Sequence, residues 1–277
     1  MNQNSDVLIV VGHGLYEPWL NIYSEGQKKT WLSDAASNGT EVIHIHGSPL
    51  GKIGWKFDRL HEKLRWTNRW VALLLRIFDR VTGIPFIFFV PKIRKSKLFD
   101  STQTALQVHF PDSYQFMRWK DLAILNYFIN ERSENYIFTT TTSSYLIPSR
   151  LKSIISSLPR VGLYAGVKAY EGANFAAGNN RLISRDVAKM ILDKKVHFDC
   201  GMIEDAALGK LVKKMGIPFR ELPSLNLTSV GQLESAPDSI FDTHFHIRVK
   251  SGSFLERNDV EIMKQVHLRI KNMGLIS

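Results

Sequence analysis

Residues 172–218 read GANFAAGNNRLISRDVAKMILDKKVHFDCGMIEDAALGKLVKKMGIP, and this stretch decides the fold class. The small and polar residues up to Gly178, Asn179 and Asn180 predict a loop that lets backbone approach a neighbour closely, followed by a short polar strand. Ser184 then stands as the N-cap of a helix over 185–193, with Val187, Met190 and Ile191 as its buried stripe. A second helix over 203–215 buries Ala207, Leu208, Leu211, Val212 and Met215, then stops at Gly216 ahead of Pro218. Glu204 and Asp205 lie in its first turn. Carboxylates there complement the positive end of the helix dipole, and a carboxylate beside a close-approach loop also suits proton abstraction from a hydroxyl. On these residues alone both readings stay open.

Working outward, the chain alternates strands and helices. Residues 7–11 read as a buried strand, 19–37 as helical, 41–46 as a second strand. Asp112 or Ser113 is expected to cap a helix running to about Glu131; 135–139 is a strand, 148–157 a helix and 161–164 a strand. This rhythm predicts one α/β domain over 1–277, with a mostly parallel central sheet flanked by helices and a ligand crevice at the carboxyl ends of its strands. The glycines of Gly12-His13-Gly14 would let the first strand's end approach a nucleotide, and the lack of a G-x-S-x-G elbow argues against an α/β-hydrolase.

Composition excludes other classes. With 277 residues, 44% hydrophobic and 22% charged, the chain is a folded globular protein with room for a sizeable core. The single Cys200 rules out an internal disulfide and multi-cysteine metal sites, and predicts an intracellular setting. The start, MNQNSDVLIVV, lacks a signal-peptide layout, and no apolar run reaches the roughly 18 residues of a membrane span. A net charge of +10 points to an anionic partner: nucleotide phosphates, lipid headgroups or nucleic acid. The aromatics form no RNA- or DNA-reading motif, so nucleic acid is not expected. His44 and His46, like His244 and His246, share a strand face and read as half-buried fillers rather than a zinc site.

Residues 51–97 are distinct. Leu60, Leu64, Val71, Leu74 and Phe78 recur at near-helical spacing; Lys52, Lys56, Arg59 and Lys63 take another face, with Trp55, Trp66 and Trp70 between. PFIFFVP and the basic KIRKSK follow. Such a segment either lies in a membrane interface or covers the sheet with its apolar stripe.

Gly178-Asn179-Asn180 with RLISRDVA, then IEDAALG and KKMGI, resembles the β-1,3-glycosyltransferases of the Fringe and β-1,3-galactosyltransferase kind. Three further stretches agree in order. EGQKKTWLSDAASNGTEVIHIHG resembles that family's Arg-x-Thr-Trp helix and second strand, with Lys29, Thr30 and Trp31 at matching positions. HFPDSYQFMRWKDLAIL resembles its Asp-Ser-Tyr helix, with Asp112, Ser113, Tyr114 and Lys120 retained, and HIRVKSG its late histidine segment. Residues 51–97 look like an insertion.

The resemblance implies a GT-A fold and an inverting transfer of a hexose, by likeness galactose, from a UDP-sugar to a glycan hydroxyl. Asp205, with Glu204 beside it, would be the base. Gly12, Lys29, Trp31 and Lys120 would line donor or acceptor, with Gly178, Asn179, Asn180 and Arg181. One departure bears on mechanism. The family's acidic triplet, which holds manganese on the donor diphosphate, is replaced in YIFTTTTSSYLIPSRL by Thr140, Thr141 and Thr142. Threonine hydroxyls are poor ligands for a divalent cation. No metal is therefore expected; Lys168, Arg181, Arg185, Arg248, Lys250 or His246 would meet the diphosphate instead. A lipid-linked glycan acceptor at the inner, anionic membrane surface, as in surface-polysaccharide or lipopolysaccharide assembly, would suit a cytoplasmic chain with a basic insertion. Loss of the triplet equally suits a non-catalytic member that binds a glycan or a partner.

Overall fold

The apolar run VLIVVG becomes β1 (Val7–Gly12), a strand covered on both faces, as unbroken hydrophobicity requires of a central parallel strand. The computed structural model describes residues 6–37, 39–67, 69–88, 90–96, 104–113, 116–252 and 257–276. Tyr114, Lys97 and the side chains of Lys52, Arg59, Trp66 and 85–89 lie outside the described residues.

The other strands in chain order are β2 (Val42–Ser48), β3 (Ile93–Lys95), β4 (Thr104–Pro111), β5 (Tyr136–Thr141), β6 (Ser144–Leu146), β7 (Tyr164–Lys168), β8 (Ala176–Ser184), β9 (Phe219–Glu221), β10 (Leu225–Asn226) and β11 (His246–Arg248). The helices are α1 (Trp19–Asn21), α2 (Trp31–Ser37), α3 (Gly51–Thr67), α4 (Arg69–Phe88), α5 (Met117–Glu131), α6 (Pro148–Ser156), α7 (Arg185–Asp193), α8 (Glu204–Lys214), α9 (Val230–Ser235), α10 (Ile240–Thr243) and α11 (Asp259–Asn272).

The expected α/β architecture is present. Eight strands form the central sheet in the order β3-β4-β2-β1-β5-β8-β7-β9, and β10-β11-β6 form a smaller sheet. The ladders β1–β2, β1–β5, β2–β4 and β7–β9 are parallel; β3–β4, β5–β8 and β7–β8 are antiparallel. Alternate residues of β1 feed two cores. Val7, Ile9 and Val11 join Trp31, Phe138, Leu151, Phe245 and Ile262, beneath α2, α6 and α11. Leu8 and Val10 join Leu122, Phe128, Ile191 and Leu211, beneath α5, α7 and α8.

Several local readings change. The helical segment at 19–37 is broken: between α1 and α2 run a π turn (Ile22–Gly26) and a 3-10 turn (Gln27–Lys29). Asp112 does not cap α5, which starts after Phe116 with no side-chain cap. Ser184 occupies the N-cap position of α7, but its hydroxyl donates to Asp186 at 2.6 Å and accepts from the Leu163 amide at 2.9 Å. Gly178, Asn179 and Asn180 lie inside β8 rather than in a loop. Pairing moves from Gly166↔Arg181 to Lys168↔Ala176, so β8 covers five residues while β7 covers two. The extra residues make a bulge, which gives backbone the local freedom expected of a loop within a strand.

Residues 51–88 form two helices packed on each other, α3 and α4. Leu60, Leu74 and Phe78 of the expected stripe are exposed, so these side chains do not cover the sheet.

Candidate functional site

The carboxyl ends of β1, β2, β4 and β5 meet at one edge of the sheet, and Asp112 ties three of them together. It sits just after β4 and accepts from the Leu15 amide at 2.8 Å, the Gly47 amide at 3.1 Å and Lys120 Nζ at 2.7 Å. Against burial, which would raise it, Lys120 and the two amides hold its carboxyl below the usual range. A Cβ on Gly47 would come within 2.7 Å of Asp112 backbone, so the strand ends cross too closely for any side chain there. Lys120, expected to shape a substrate site, is buried and occupied by this pair.

At the end of β1, Gly12 pairs with Thr141. His13 turns into a ring cluster with Tyr23 at 4.9 Å, and His44 meets the same Tyr23 edge-to-face at 4.9 Å. Burial lowers His13 to about 4 and His44 to about 3, so both rings are neutral at physiological pH. Lys29 lies at the surface, 2.6 Å from Glu25, away from any cluster. Trp31 is fully buried and donates its indole N–H to the Ser144 carbonyl at 3.1 Å. Gln27, which belongs to no motif, donates to the carbonyls of Thr141 (3.2 Å) and Ser144 (3.1 Å). The 27–31 segment thus clamps the turn that follows the threonines.

That turn carries a buried hydroxyl–imidazole cluster. Thr140 Oγ1 donates to the Asn179 carbonyl at 2.9 Å and lies 3.4 Å from His246 Nε2. The same ring shares hydrogen bonds with Ser144 Oγ (3.0 Å) and, through Nδ1, with Ser224 Oγ (2.7 Å). Burial, reinforced by Arg248, lowers His246 to about 3, so the ring is neutral. Asn180 pairs across from Thr140 and so shares its sheet face. It is fully buried, and among the described residues neither its amide nitrogen nor its oxygen has a hydrogen-bond partner. Each unmet buried group costs about 1–3 kcal/mol, which a polar ligand would relieve. Hydroxyls and a neutral imidazole do not fit a manganese ion, which favours carboxylate oxygen. Among the described residues no three His, Cys, Asp or Glu side chains gather to hold a metal.

The cations named from sequence divide. Lys168 pairs with Glu221 at 2.6 Å on the surface, and Lys250 is exposed. Arg185 donates to the carbonyls of Glu134, Ile129 and Arg132 and lies over the Phe128 ring at 4.4 Å, a structural role. Arg248 is two residues from His246 on β11, hence on the same face, and is half-buried. Its Nε has no hydrogen-bond partner among the described residues, and burial together with Arg257 pulls its pKa down.

On the other face of β8, Arg181 is buried between two carboxylates. One end donates to Asp121 of α5 and the other to Glu204 of α8. Burial pushes Asp121 well above the carboxylate range, opposed by Arg181 and reinforced by Glu204. Glu204 goes the other way: despite burial, Arg181 and the Asp121 hydrogen bond hold it low. The two carboxyls around the one guanidinium are thus shifted in opposite directions, Asp121 up and Glu204 down. Sequence reading missed Asp121, which carries no motif and meets Arg181 only through the fold.

Asp205 is free of that bridge. It is half-buried, and its Oδ1 accepts from the Ala206 amide at 2.8 Å. Burial, then the adjacent Glu204 charge, raises its pKa; the Ala206 and Gly178 amides pull the other way. A Cβ on Gly178 would lie 2.9 Å from Glu204 Oε2, so the β8 bulge and the first turn of α8 are in contact. Gly209 closes the same helix onto β8's approach: a Cβ there would meet Phe175 Cβ at 2.2 Å. The structure thus gathers Gly178, Asn179, Asn180, Arg181, Glu204, Asp205, Thr140 and His246 about one bulged strand.

No protein-family model and no curated protein matches this sequence. Among solved structures the chain is similar to a glycosyltransferase involved in the glycosylation of the major capsid of PBCV-1. The two are 10% identical with a TM-score of 0.43, over 94% of this chain and 98% of that one. At that identity and score the likeness says nothing of what this chain binds or transfers.

Proposed function

We propose that the chain is an inverting glycosyltransferase that moves a hexose, by the sequence resemblance galactose, from a UDP-sugar to a glycan hydroxyl. The observation that carries this reading is the division of labour between adjacent carboxylates. Glu204 is spent in a buried bridge, whereas Asp205 stays half-exposed with a raised pKa against the β8 bulge. A general base works best when its pKa approaches the operating pH. Asp205 would take the acceptor proton as that oxygen attacks the anomeric carbon, and the diphosphate would leave from the opposite side. The Asn180 amide, which has no partner among the described residues, would meet polar donor groups together with Thr140 and the neutral His246, and Arg248 would meet negative charge.

We propose further that no resident metal takes part, because threonines stand at the metal-binding position. An acceptor glycan on a lipid, at the cytoplasmic face of a membrane in surface-polysaccharide assembly, completes the reading. A thermal-shift screen of nucleotide sugars, with and without manganese, tests the donor class, since ligand that binds only the folded state raises the melting temperature. Selective stabilisation by a UDP-sugar supports it; none by any nucleotide sugar rejects it. Stabilisation without any transfer to a hydroxyl acceptor would instead favour the non-catalytic, glycan-binding alternative.

A further inference from the structure

We infer that the outer face of the α3–α4 hairpin docks on an anionic lipid bilayer. On α4, Trp70, Leu73, Leu74, Ile77, Phe78 and Val81 are all exposed, Trp70 by 76% and Leu74 by 67%. Their spacing of i, i+3, i+4, i+7, i+8 and i+11 places them on one stripe. Ile53, Phe57 and Leu60 of α3 are exposed as well, Ile53 by 74%. A helix in a water-soluble body buries such a stripe against its own core. This hairpin turns it outward.

Charge identifies the occupant. Residues 51–97 hold twelve Lys and Arg against three Asp and Glu, a net of +9 within the chain's +10. The rest of the protein is therefore almost neutral, and the basic excess belongs to this element. Lys56, Lys63 and Arg76 are exposed beside the apolar stripe, and Lys92, Arg94 and Lys95 follow it. Of its three acids, the Glu62 side chain lies outside the described residues and the other two face inward: Asp58 is buried, and Asp79 is buried 3.6 Å from His61 and 3.9 Å from Arg118. Among the described residues the outer face is thus apolar and cationic without a carboxylate. Acyl chains beneath anionic headgroups match both properties. A second copy of the same face would bring like charge against like charge.

The hairpin lies in the interface rather than across it, since no described helix is long and apolar enough to span a bilayer. It is also fastened to the candidate site's rim. Its first turn begins at the carboxyl end of β2, where the Leu50 amide donates to the Tyr16 hydroxyl. Arg80 of α4 pairs with Asp199 at 3.2 Å, five residues before Glu204. Docking would hold the site's edge at the membrane surface.

The test uses the full chain with phosphatidylcholine vesicles, either alone or mixed with phosphatidylglycerol, in co-sedimentation at low and high salt. Wild type should bind the anionic vesicles, bind neutral ones weakly, and be released by salt. Reversing Lys56, Lys63 and Arg76 to Glu should lower partitioning by at least about tenfold. Leu74→Asp with Ile77→Asp should abolish it, while circular dichroism shows unchanged folding. The inference is overturned if wild type ignores vesicles or partitions equally onto neutral and anionic ones. A lipid-free dimer that the Leu74→Asp/Ile77→Asp variant dissolves would overturn it too. The wild-type salt and lipid comparison decides even if a variant misfolds. No sugar enters the readout, so this result stands apart from the transfer reading.

Discussion

Replacing Arg181 with Met should be among the most damaging single changes to the candidate site. The side chain is 3% exposed and satisfies two carboxylates at once, Asp121 at 10% and Glu204 at 13% exposure. Methionine fills much of the volume but leaves two acids facing each other without a cation. Removing one partner of a buried ion pair costs about 3–5 kcal/mol, because the residual charge has nowhere to go. At about 2–3 °C per kcal/mol for a chain this long, melting should fall by roughly 6–15 °C. The loss should also depend on pH. Glu204 is depressed in the folded protein, so its stabilisation is present above its unfolded pKa and fades as pH falls through the folded value. The variant lacks that contribution, so the gap to wild type should be widest at neutral pH and narrow on acidification. Adding Asp121→Asn and Glu204→Gln to Arg181→Met should recover much of the melting temperature, since no unpaired charge remains. Thermal unfolding followed by circular dichroism reads all three proteins. A single variant that melts within about 2 °C of wild type at neutral pH would refute the bridge as a structural element.

Asp205→Asn should lower turnover by about a hundred- to ten-thousand-fold with melting nearly unchanged, whereas Glu204→Gln should cost stability first. If Asp205→Asn transfers at the wild-type rate, the base lies elsewhere. The acidic limb of kcat/KM should lie above the ordinary aspartate range, since Asp205 must be deprotonated to act and its pKa is raised; a limb at the usual aspartate position contradicts this. Gly209→Ala should destabilise by about 1–3 kcal/mol through overlap with Phe175, and Phe175→Ala in the same chain should relieve part of it; an unchanged urea midpoint would show that the contact yields freely. Donor-induced stabilisation should persist in excess chelator. Loss with chelator and recovery with manganese would locate a metal site outside the threonine cluster.

Local elements were legible because neighbours in sequence encode them. The uninterrupted apolar run of β1 allowed only a buried strand. Gly216 and Pro218 stop α8 within a residue of the expected end, and α7 buries Val187 and Ile191 of its expected stripe, while Met190, the third member, is exposed. Legibility failed where a residue's partner is distant. Asp112 looked like a helix cap from its position before α5, yet its acceptors are filled from β1's loop, β2 and Lys120. Gly178 to Asn180 looked like a loop because small polar residues disfavour strands. Their flanking partners in β5 and β7 hold them in one and force the surplus into a bulge.

The sequence by itself determined the α/β alternation, the helix at Glu204-Asp205, and the presence of a basic, apolar segment, since composition and period are properties of the chain alone. Only the tertiary structure decided which carboxylate is consumed by Arg181 and which stays outside that bridge. It alone set Thr140 against His246, left the Asn180 amide without a partner among the described residues, and turned the stripe of α4 away from the core. These outcomes depend on contacts between residues tens to more than a hundred positions apart, and on burial that exists only once the sheet has closed. Pairing and desolvation there act on groups whose chemistry, read along the chain, is identical.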